Sequence, residues 1–200
     1  MKIKVALGVA TAGTIKSKTA FSIIEMVRLN PEIEMMPIFT FSGYIGENKN
    51  RNTETAIKCL CSHILYIDHD MKFPPNTLAK LLFHDKDIVG GLYNYKQLPP
   101  EPMLKYFDNK GEWTPTLSKS TLGSIPNELF KVAAIGGGMM LVKMSVFEKL
   151  KKPYFSMEQD EAGNRSMTED VGFLLQAQEK GFEVWCEPSL GIEHIGDFAF

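Results

Sequence analysis

The stretch HILYIDHDM, at residues 63–71, combines an apolar run with two aspartates and decides the predicted fold. Residues 63–67 have the continuous apolar pattern of a strand buried on both faces, which is typical of parallel sheets covered by helices. Asp68 and Asp70 follow this strand, at the end where open parallel sheets bind ligands. In an extended chain both carboxylates point to one side, and His69 points to the other. Divalent cations favour such oxygen ligands, whereas aspartates are also common in plain turns, so both interpretations stay open.

Strands and helices alternate on both sides of this stretch, as the spacing of the apolar residues indicates. The β-α-β order predicts an α/β fold with a mostly parallel central sheet flanked by helices. The polar segment at residues 42–50 contains two glycines and is interpreted as a loop. The predicted strands are residues 3–9, 35–41 and 87–93, and the predicted helices are residues 17–29, residues 51–62 and a third helix after Pro74-Pro75.

The second half of the chain is less regular and predicts a small antiparallel hairpin region, formed by residues 103–107 and 112–114. The stretch 117–127 is rich in Ser, Thr and Gly and is interpreted as a loop. The later predicted strands are residues 130–135, 139–142 and 182–186, and the later helices are residues 146–150 and 168–180. A length of 200 residues suits a single domain, since domains usually have about 100–200 residues.

Composition excludes several classes of protein. The chain has 22 Lys and Arg against 24 Asp and Glu, a net charge of −2, and 44% hydrophobic residues. Wholesale disorder and binding to nucleic acid by charge alone are therefore excluded, and no nucleic-acid partner is expected. No apolar stretch approaches the ~18–20 residues that span a bilayer. The three cysteines cannot all pair and form no C-x-x-C motif, so reduced thiols and a cytoplasmic location are expected.

Two acids, Glu169 and Asp170, open a predicted helix after an irregular segment. Ser166 and Glu169 have the spacing of a capping box, which gives Glu169 a structural interpretation. Acids in a first turn also complement the helix dipole, so Asp170 has a structural interpretation as well. A functional Asp170 would be a general base beside a hydroxyl group.

Three further features are weaker. His194, in the sequence GIEHIG, is a possible metal ligand, although a single histidine is more often a packing or surface residue. Residues 136–138 are three glycines between two predicted strands, which form either a plain bend or a place where the backbone approaches a ligand closely. Arg51 opens a predicted helix and either faces a diphosphate or is solvated.

As an ordered set these features resemble the nucleotide-sugar glycosyltransferases of the GT-A fold, nearest to family 2 and its bacterial and phage-type relatives. The pieces that carry the resemblance cover most of the chain: NRNTETAIKCLCSHILYIDHDMKFPPNTLAKLL, DIVGGLYNYK, AAIGGGMMLVKMSVFEKL and TEDVGFLLQAQEKGFEVWCEPSLGIEHIG. The sequence departs from the family in FTFSGYIGE, which lacks the acid that usually helps to hold the nucleobase, and in the first loop, ATAGTIKSK.

The resemblance implies one GT-A domain over residues 1–200, with a nucleotide-binding half at 1–95 and an acceptor and catalytic half at 96–200. It assigns Asp170 as the base, with Glu169 as the second catalytic candidate. It implies Mn²⁺ or Mg²⁺ as the cofactor, with Asp68, Asp70 and His194 as the metal ligands. The residues that it places at the donor are Thr11, Ala12, Gly13, Arg51, Asp68, His69, Gly137 and Gly138.

The implied activity is transfer of a sugar from a nucleoside-diphosphate sugar, with UDP as the expected nucleotide, to a hydroxyl group. The acceptor would be a glycan, a lipid-linked molecule or a protein. Asp170 takes the hydroxyl proton if the reaction inverts the sugar and only orients the acceptor if it retains. Two alternatives stay open: a non-catalytic nucleotide-sugar or carbohydrate-binding module on the same fold, and a nucleotidyltransferase. The latter usually needs a glycine-rich basic loop after the first strand, whereas ATAGTIKSK has one glycine and two lysines.

Overall fold

A seven-stranded sheet forms the centre of the computed structural model, which describes residues 3–105, 125–159 and 165–196. The strands are β1 (Lys4–Thr11), β2 (Glu34–Phe41), β3 (His63–Asp68), β4 (Met71–Lys72), β5 (Ile88–Gly91), β6 (Leu104–Lys105), β7 (Phe130–Val132), β8 (Ala134–Ile135), β9 (Met139–Lys143), β10 (Glu158–Gln159), β11 (Arg165–Met167), β12 (Val184–Glu187) and β13 (Glu193–His194). The helices are α1 (Ser17–Leu29), α2 (Ile45–Lys58), α3 (Thr77–Phe83), α4 (Met144–Phe147) and α5 (Glu169–Glu179).

The strand order of the central sheet is β2-β1-β3-β9-β5-β12-β7. Strands β1, β2 and β3 are parallel, as are β5 and β12, whereas β9 is antiparallel to both of its neighbours and β7 is antiparallel to β12. Five of these seven described strands therefore run in one direction. The prediction of an α/β fold with a mostly parallel sheet flanked by helices is confirmed at this level.

The two faces of the sheet carry separate hydrophobic layers. In β3, Ile64 and Tyr66 pack in the layer that contains α2, α4 and α5, and Leu65 and Ile67 pack in the layer that contains α1 and α3. Burial on both faces explains the continuous apolar sequence of this strand. Within the described residues, no helix is both long and apolar enough to cross a bilayer.

The first helix has the predicted bounds, but α2 begins at Ile45, six residues before the predicted start. The interpretation of residues 42–50 as a loop was therefore wrong for most of that segment. The reason is that the inward face of α2 is polar: Asn48, Lys49 and Asn52 are all buried. A helix whose buried face is polar lacks the apolar periodicity that identifies helices in a sequence.

The second half differs from its prediction in the pairing of short strands. The predicted strand at residues 130–135 is divided, so that β7 joins the central sheet and β8 pairs with β6. Residues 104–105 therefore have an antiparallel partner in β8, and the expected partner at 112–114 lies outside the described residues. Most of the predicted loop at 117–127 also lies outside them.

Candidate functional site

The candidate site lies at the carboxyl end of β3. Asp68 and Asp70 belong to different parts of this site and do not lie side by side along one extended strand. Asp68 is the last residue of β3, and His69 and Asp70 form a turn into β4. The expected extended D-x-D arrangement is therefore wrong. His69, expected to point away from the carboxylates, places its Nε2 3.7 Å from Asp70 Oδ2. The turn divides the site into two groups of charged side chains.

The first group surrounds Lys49, a lysine in α2 whose side chain is only 1% exposed. Its ammonium contacts Asp170 Oδ1 and lies 3.3 Å from Glu169 Oε1. Burial alone would lower the pKa of Lys49, but its carboxylate neighbours, chiefly Asp170, outweigh burial and raise that pKa well above its usual value. Asp170 Oδ2 also accepts a hydrogen bond of 2.9 Å from the backbone N–H of Gly137. Asp170 is therefore held in one orientation by two donors from different elements.

Glu169 has a different structural role from the one that its spacing predicted. Ser166 lies in β11, and the N-cap of α5 is Thr168, which makes no side-chain capping hydrogen bond among the described residues. The capping-box interpretation is therefore wrong. Glu169 is instead buried beside Lys49, because an ammonium group in the interior needs opposite charge nearby.

The three glycines at 136–138 are required by the side chains of the site itself. A Cβ atom on Gly137 would lie 2.6 Å from Lys49 Nζ, and one on Gly138 would lie 2.7 Å from Asp68 Oδ2. Charged groups of the chain cover the Cα atoms of these two glycines, and any larger residue would displace those groups. Gly137 and Gly138 therefore pack directly against the charged side chains of the site, and the N–H of Gly137 also donates a hydrogen bond to Asp170.

Asp68 interacts electrostatically with Lys49, and its Oδ2 and the Tyr93 hydroxyl both lie close to Gly138. Its Oδ1 is buried and has no hydrogen-bond partner among the described residues. Burial raises the pKa of Asp68, although Lys49 opposes the shift. A partnerless buried carboxylate oxygen is the kind of atom that a bound cation would satisfy.

We expect Asp68→Asn to stabilise the ligand-free protein. A carboxyl group with a raised folded-state pKa contributes stability below its unfolded pKa of about 3.9 and loses that contribution as the pH rises through the folded pKa. Above its unfolded pKa the carboxyl group therefore contributes less to stability, and the amide, which does not titrate, should raise the unfolding free energy at pH 7 by about 1 kcal/mol. Urea denaturation at pH 7 and at pH 5 measures this gain, which should shrink at the lower pH.

Asp70→Asn is the matched comparison for that measurement. Burial alone would raise the pKa of Asp70, but contacts with His194 and Lys96 outweigh it and lower that pKa. The ionised Asp70 therefore stabilises the fold above its unfolded pKa, and Asp70→Asn should cost about 1 kcal/mol at pH 7. Loss of stability in Asp68→Asn as large as in Asp70→Asn would contradict this account of Asp68.

The second group is built around Asp70, whose neighbour His194 is supplied by the last described strand. Strand β13 pairs antiparallel with β4 so that His194 lies opposite Met71, and the N–H of Ile195 donates to Asp70 O at 2.8 Å. This pairing places His194 Nε2 3.5 Å from Asp70 Oδ1. Lys96, from the loop after β5, contacts Asp70 Oδ2.

The hydrogen bonds of His194 determine what its ring presents to Asp70. Nδ1 lies 3.1 Å from the carbonyl oxygen of Asn94, which can only accept, so Nδ1 carries a proton. In a neutral imidazole, Nε2 then presents a lone pair toward the Asp70 carboxylate. Two acceptors at 3.5 Å are stabilised by a proton or another cation between them. A backbone carbonyl behind the ring is also the usual arrangement for a histidine that binds a metal.

Tyr93 connects the two groups. Its hydroxyl oxygen accepts a hydrogen bond of 2.9 Å from the N–H of Gly138, and its ring packs edge-on against the ring of His194, with 5.4 Å between centroids. Burial raises the pKa of Tyr93 well above its usual value, so it remains a neutral phenol. Neither Tyr93 nor Lys49 was identified from the sequence, because each had only the pattern of a strand or loop residue.

The structure therefore brings together only two of the three predicted metal ligands. Asp70 and His194 are neighbours, whereas Asp68 faces Lys49 and Gly138. Within residues 3–105, 125–159 and 165–196, no group of three or more His, Cys, Asp and Glu side chains is arranged to hold a metal ion.

The remaining predicted residues lie at the rim of the site or away from it. Thr11 ends β1, and its hydroxyl bonds to Thr14 O and to the N–H of Gly13. Ala12 and Gly13 are exposed in the loop that follows, which reaches the aspartate turn through the bond from Lys16 N–H to His69 O, at 2.8 Å. Arg51 lies on the exposed side of α2 and pairs with Glu47, apart from the other candidates.

A cavity of about 220 Å³ opens beside the first group. Asp68, Glu169, Asp170, Tyr95 and Met103 are among the residues that line it. Pockets for drug-sized ligands usually have about 300–1,000 Å³, so this one suits a smaller ligand. Its combination of carboxylates and an aromatic ring is suitable for a polyhydroxylated molecule.

Comparison with known proteins supports the class of fold alone. No protein-family model matches the chain, and no curated protein matches it. Among solved structures, the crystal structure of A197 from STIV is similar, with a TM-score of 0.65, 17% sequence identity, and coverage of 97% of this chain and 86% of that chain. The fold and the site together define an α/β protein with a charged site at the carboxyl end of its central strands.

Proposed function

We propose that this chain is a metal-dependent glycosyltransferase of the GT-A type, which transfers a sugar from a nucleoside-diphosphate sugar to a hydroxyl acceptor. UDP is the first-choice nucleotide, and the acceptor is a glycan, a lipid-linked molecule or a protein. The observation that carries the proposal is the convergence of Asp68, Asp70 and His194 with Asp170 at one end of the sheet. Ligands of open α/β sheets bind at this end.

The chemical types of Asp68, Asp70 and His194 suit a divalent cation, Mn²⁺ or Mg²⁺, although within the described residues these side chains are not arranged around one ion. Among the described residues Asp68 Oδ1 is buried without a hydrogen-bond partner, and His194, whose Nδ1 lies 3.1 Å from the carbonyl oxygen of Asn94, directs its Nε2 to Asp70. Asp68, Asp70 and His194 would hold the ion, since carboxylate oxygens suit Mg²⁺ and Mn²⁺ and imidazole is a common additional ligand. When bound, the cation would supply Lewis-acid chemistry and neutralise the charge that develops on the departing diphosphate.

Asp170 is the proposed base. Its Oδ2 accepts the Gly137 N–H and its Oδ1 contacts Lys49, so the carboxylate is oriented before any ligand arrives. Each carboxylate oxygen has a further lone pair that can accept the proton of an acceptor hydroxyl. Because Asp170 also lines the 220 Å³ cavity, that hydroxyl can reach it from the cavity.

The cavity is the proposed place where the sugar and the acceptor hydroxyl meet. Its volume suits a single sugar ring, and Tyr95 adds an aromatic ring to a lining that also contains carboxylates. Asp68 and Asp170 both line it, so the proposed cation and the proposed base are adjacent to the same space. A reaction between a donor sugar and a hydroxyl requires that proximity.

We also propose that the reaction takes place in the cytoplasm. All three cysteines are free, and Cys61 and Cys186 are buried. Free cysteines are usual where cellular thiols are kept reduced.

A ligand panel tests the proposal. The purified protein is heated with UDP, GDP and CDP and their sugars, each with Mn²⁺ and with EDTA. One family of nucleotide sugars at about 100 times its Kd should raise the unfolding free energy by about 2.7 kcal/mol, and only with Mn²⁺. Equal affinity in Mn²⁺ and in EDTA would contradict the role of the cation.

An assay for sugar transfer and donor hydrolysis separates an enzyme from a binding module. Release of nucleoside diphosphate that requires Mn²⁺ supports the proposed enzyme. Tight, Mn²⁺-dependent binding of a nucleotide sugar with no release over a long incubation would favour the non-catalytic module instead.

A further inference from the structure

Lys96 already places a positive charge at Asp70, the carboxylate that the proposed cation needs. Its ammonium contacts Asp70 Oδ2, while His194 Nε2 lies 3.5 Å from Asp70 Oδ1. Both oxygens of this carboxylate therefore already have a partner. A divalent cation can bind to Asp70 with full charge compensation only if the ammonium leaves, since two cations this close repel each other.

We propose that Lys96 is an exchangeable internal cation, which pairs with Asp70 in the ligand-free protein and pairs with the diphosphate of the donor once a divalent cation binds to Asp70. This inference rests on the proposed function, because it needs the cation and the diphosphate. It adds a residue that binds the leaving group and couples the binding of the cation to the binding of the donor.

Lys96 and Asp70 differ in their exposure to solvent. The Lys96 side chain is 35% exposed, whereas that of Asp70 is 5% exposed. The loop that carries Lys96 is closed at its base by the bridge between Asn94 and Pro102 and by the bond from Tyr95 N–H to Glu101 O, at 2.8 Å. The backbone is thus anchored while the four-carbon side chain can swing, as lysine side chains readily do.

Lys49, in the same site, is a cation whose partners are fixed. Its side chain is 1% exposed and touches two carboxylates, Glu169 and Asp170, so it has no route to another partner. Lys96 touches one carboxylate among its described contacts and borders solvent. Of these two ammonium groups, only that of Lys96 can exchange its partner without unfolding α2 or α5.

The displaced ammonium would have a partner of opposite charge close by. A diphosphate bound to a cation at Asp70 lies within reach of a side chain that itself reaches Asp70. Ammonium groups are common phosphate ligands, and such charge-assisted hydrogen bonds are stronger than neutral ones. Lys96 would then bind the leaving diphosphate.

The first test measures Mn²⁺ binding to the whole, nucleotide-free protein by electron paramagnetic resonance of free Mn²⁺. Lys96→Met should bind Mn²⁺ at least about 5-fold more tightly than wild type, because the competing ammonium is gone. Lys72→Met is the control, since Lys72 lies beside the same turn but pairs with Glu193, and its Mn²⁺ affinity should stay within 2-fold of wild type.

The second test measures the affinity of pyrophosphate by calorimetry in saturating Mg²⁺. Lys96→Met should bind pyrophosphate about 10-fold more weakly than wild type and Lys72→Met. If wild type and Lys96→Met bind Mn²⁺ with the same affinity, the proposed exchange at Asp70 is overturned. If the two proteins bind pyrophosphate with the same affinity, the proposed pairing of Lys96 with the diphosphate is overturned. Absence of Mn²⁺ binding in wild type and variant alike overturns the cation of the proposed function, and this inference with it.

Discussion

Replacing Asp170 with asparagine should lower turnover by about 10²-fold or more while donor affinity stays within a few-fold of wild type. Asparagine keeps the size of the side chain, and its one carbonyl oxygen can still accept from either Gly137 N–H or the Lys49 ammonium, but it cannot take a proton. Loss of the base therefore affects the chemical step and spares binding. Steady-state kinetics with the donor found in the ligand panel, together with donor titration by calorimetry, measure both quantities.

Glu169→Gln is the comparison that tests the choice of base. Glu169 is a neighbour of Asp170 in the chain and shares its contact with Lys49, but no described hydrogen bond joins it to the glycine turn. We expect Glu169→Gln to lose stability and to keep turnover within about 10-fold of wild type. If Glu169→Gln is folded but inactive while Asp170→Asn is active, Glu169 is the base and Asp170 has the structural role.

Replacing Lys49 with methionine should destabilise the fold by about 3–5 kcal/mol, because it leaves two carboxylates in the interior without their cation. The side chains of Glu169 and Asp170 are only 10% and 17% exposed, so water cannot replace the ammonium fully. Methionine is unbranched like lysine and only one heavy atom shorter, so most of the effect comes from the lost charge. Urea denaturation at pH 7 measures the change, and circular dichroism establishes whether the variant folds.

The control is Lys58→Met, which makes the same change at the exposed end of the same helix and should alter stability by no more than about 0.5 kcal/mol. The pKa of Lys49 is raised, so its contribution to stability is present below its unfolded pKa of about 10.4 and is lost only as the pH rises through the folded value. The difference between wild type and Lys49→Met should therefore be large throughout pH 6–9. Equal stability of Lys49→Met and Lys58→Met would contradict the buried ion cluster.

The class of fold could be predicted because its determinants are apolar and local. The continuous apolar run before Asp68 predicted a strand buried on both faces, and β3 is such a strand. Helix α1 has the predicted bounds, since Asn30-Pro31 ends its pattern. Segments whose burial follows hydrophobic periodicity are the ones that a single sequence reveals.

The centre of the candidate site could not be predicted, because it is built from exceptions to that rule. Lys49 lies in a stretch so polar that it was interpreted as a loop, yet the stretch is helical and its lysine is buried. The burial of Lys49 depends on Glu169, which is 120 positions away in the chain. Asp70 and His194 meet only because β13 pairs with β4. No local pattern encodes contacts between such distant residues.

The central position of β9 has a consequence for how the chain is made. Strand β9 fills the gap between β3 and β5, although both of those strands precede it in the sequence. During synthesis on the ribosome, which proceeds from the N-terminus, the facing edges of β3 and β5 stay unpaired until β9 emerges. Unpaired edges of apolar strands readily join the edges of other chains. Pauses in translation between the codons for β5 and those for β9 would therefore prolong the exposure of these edges.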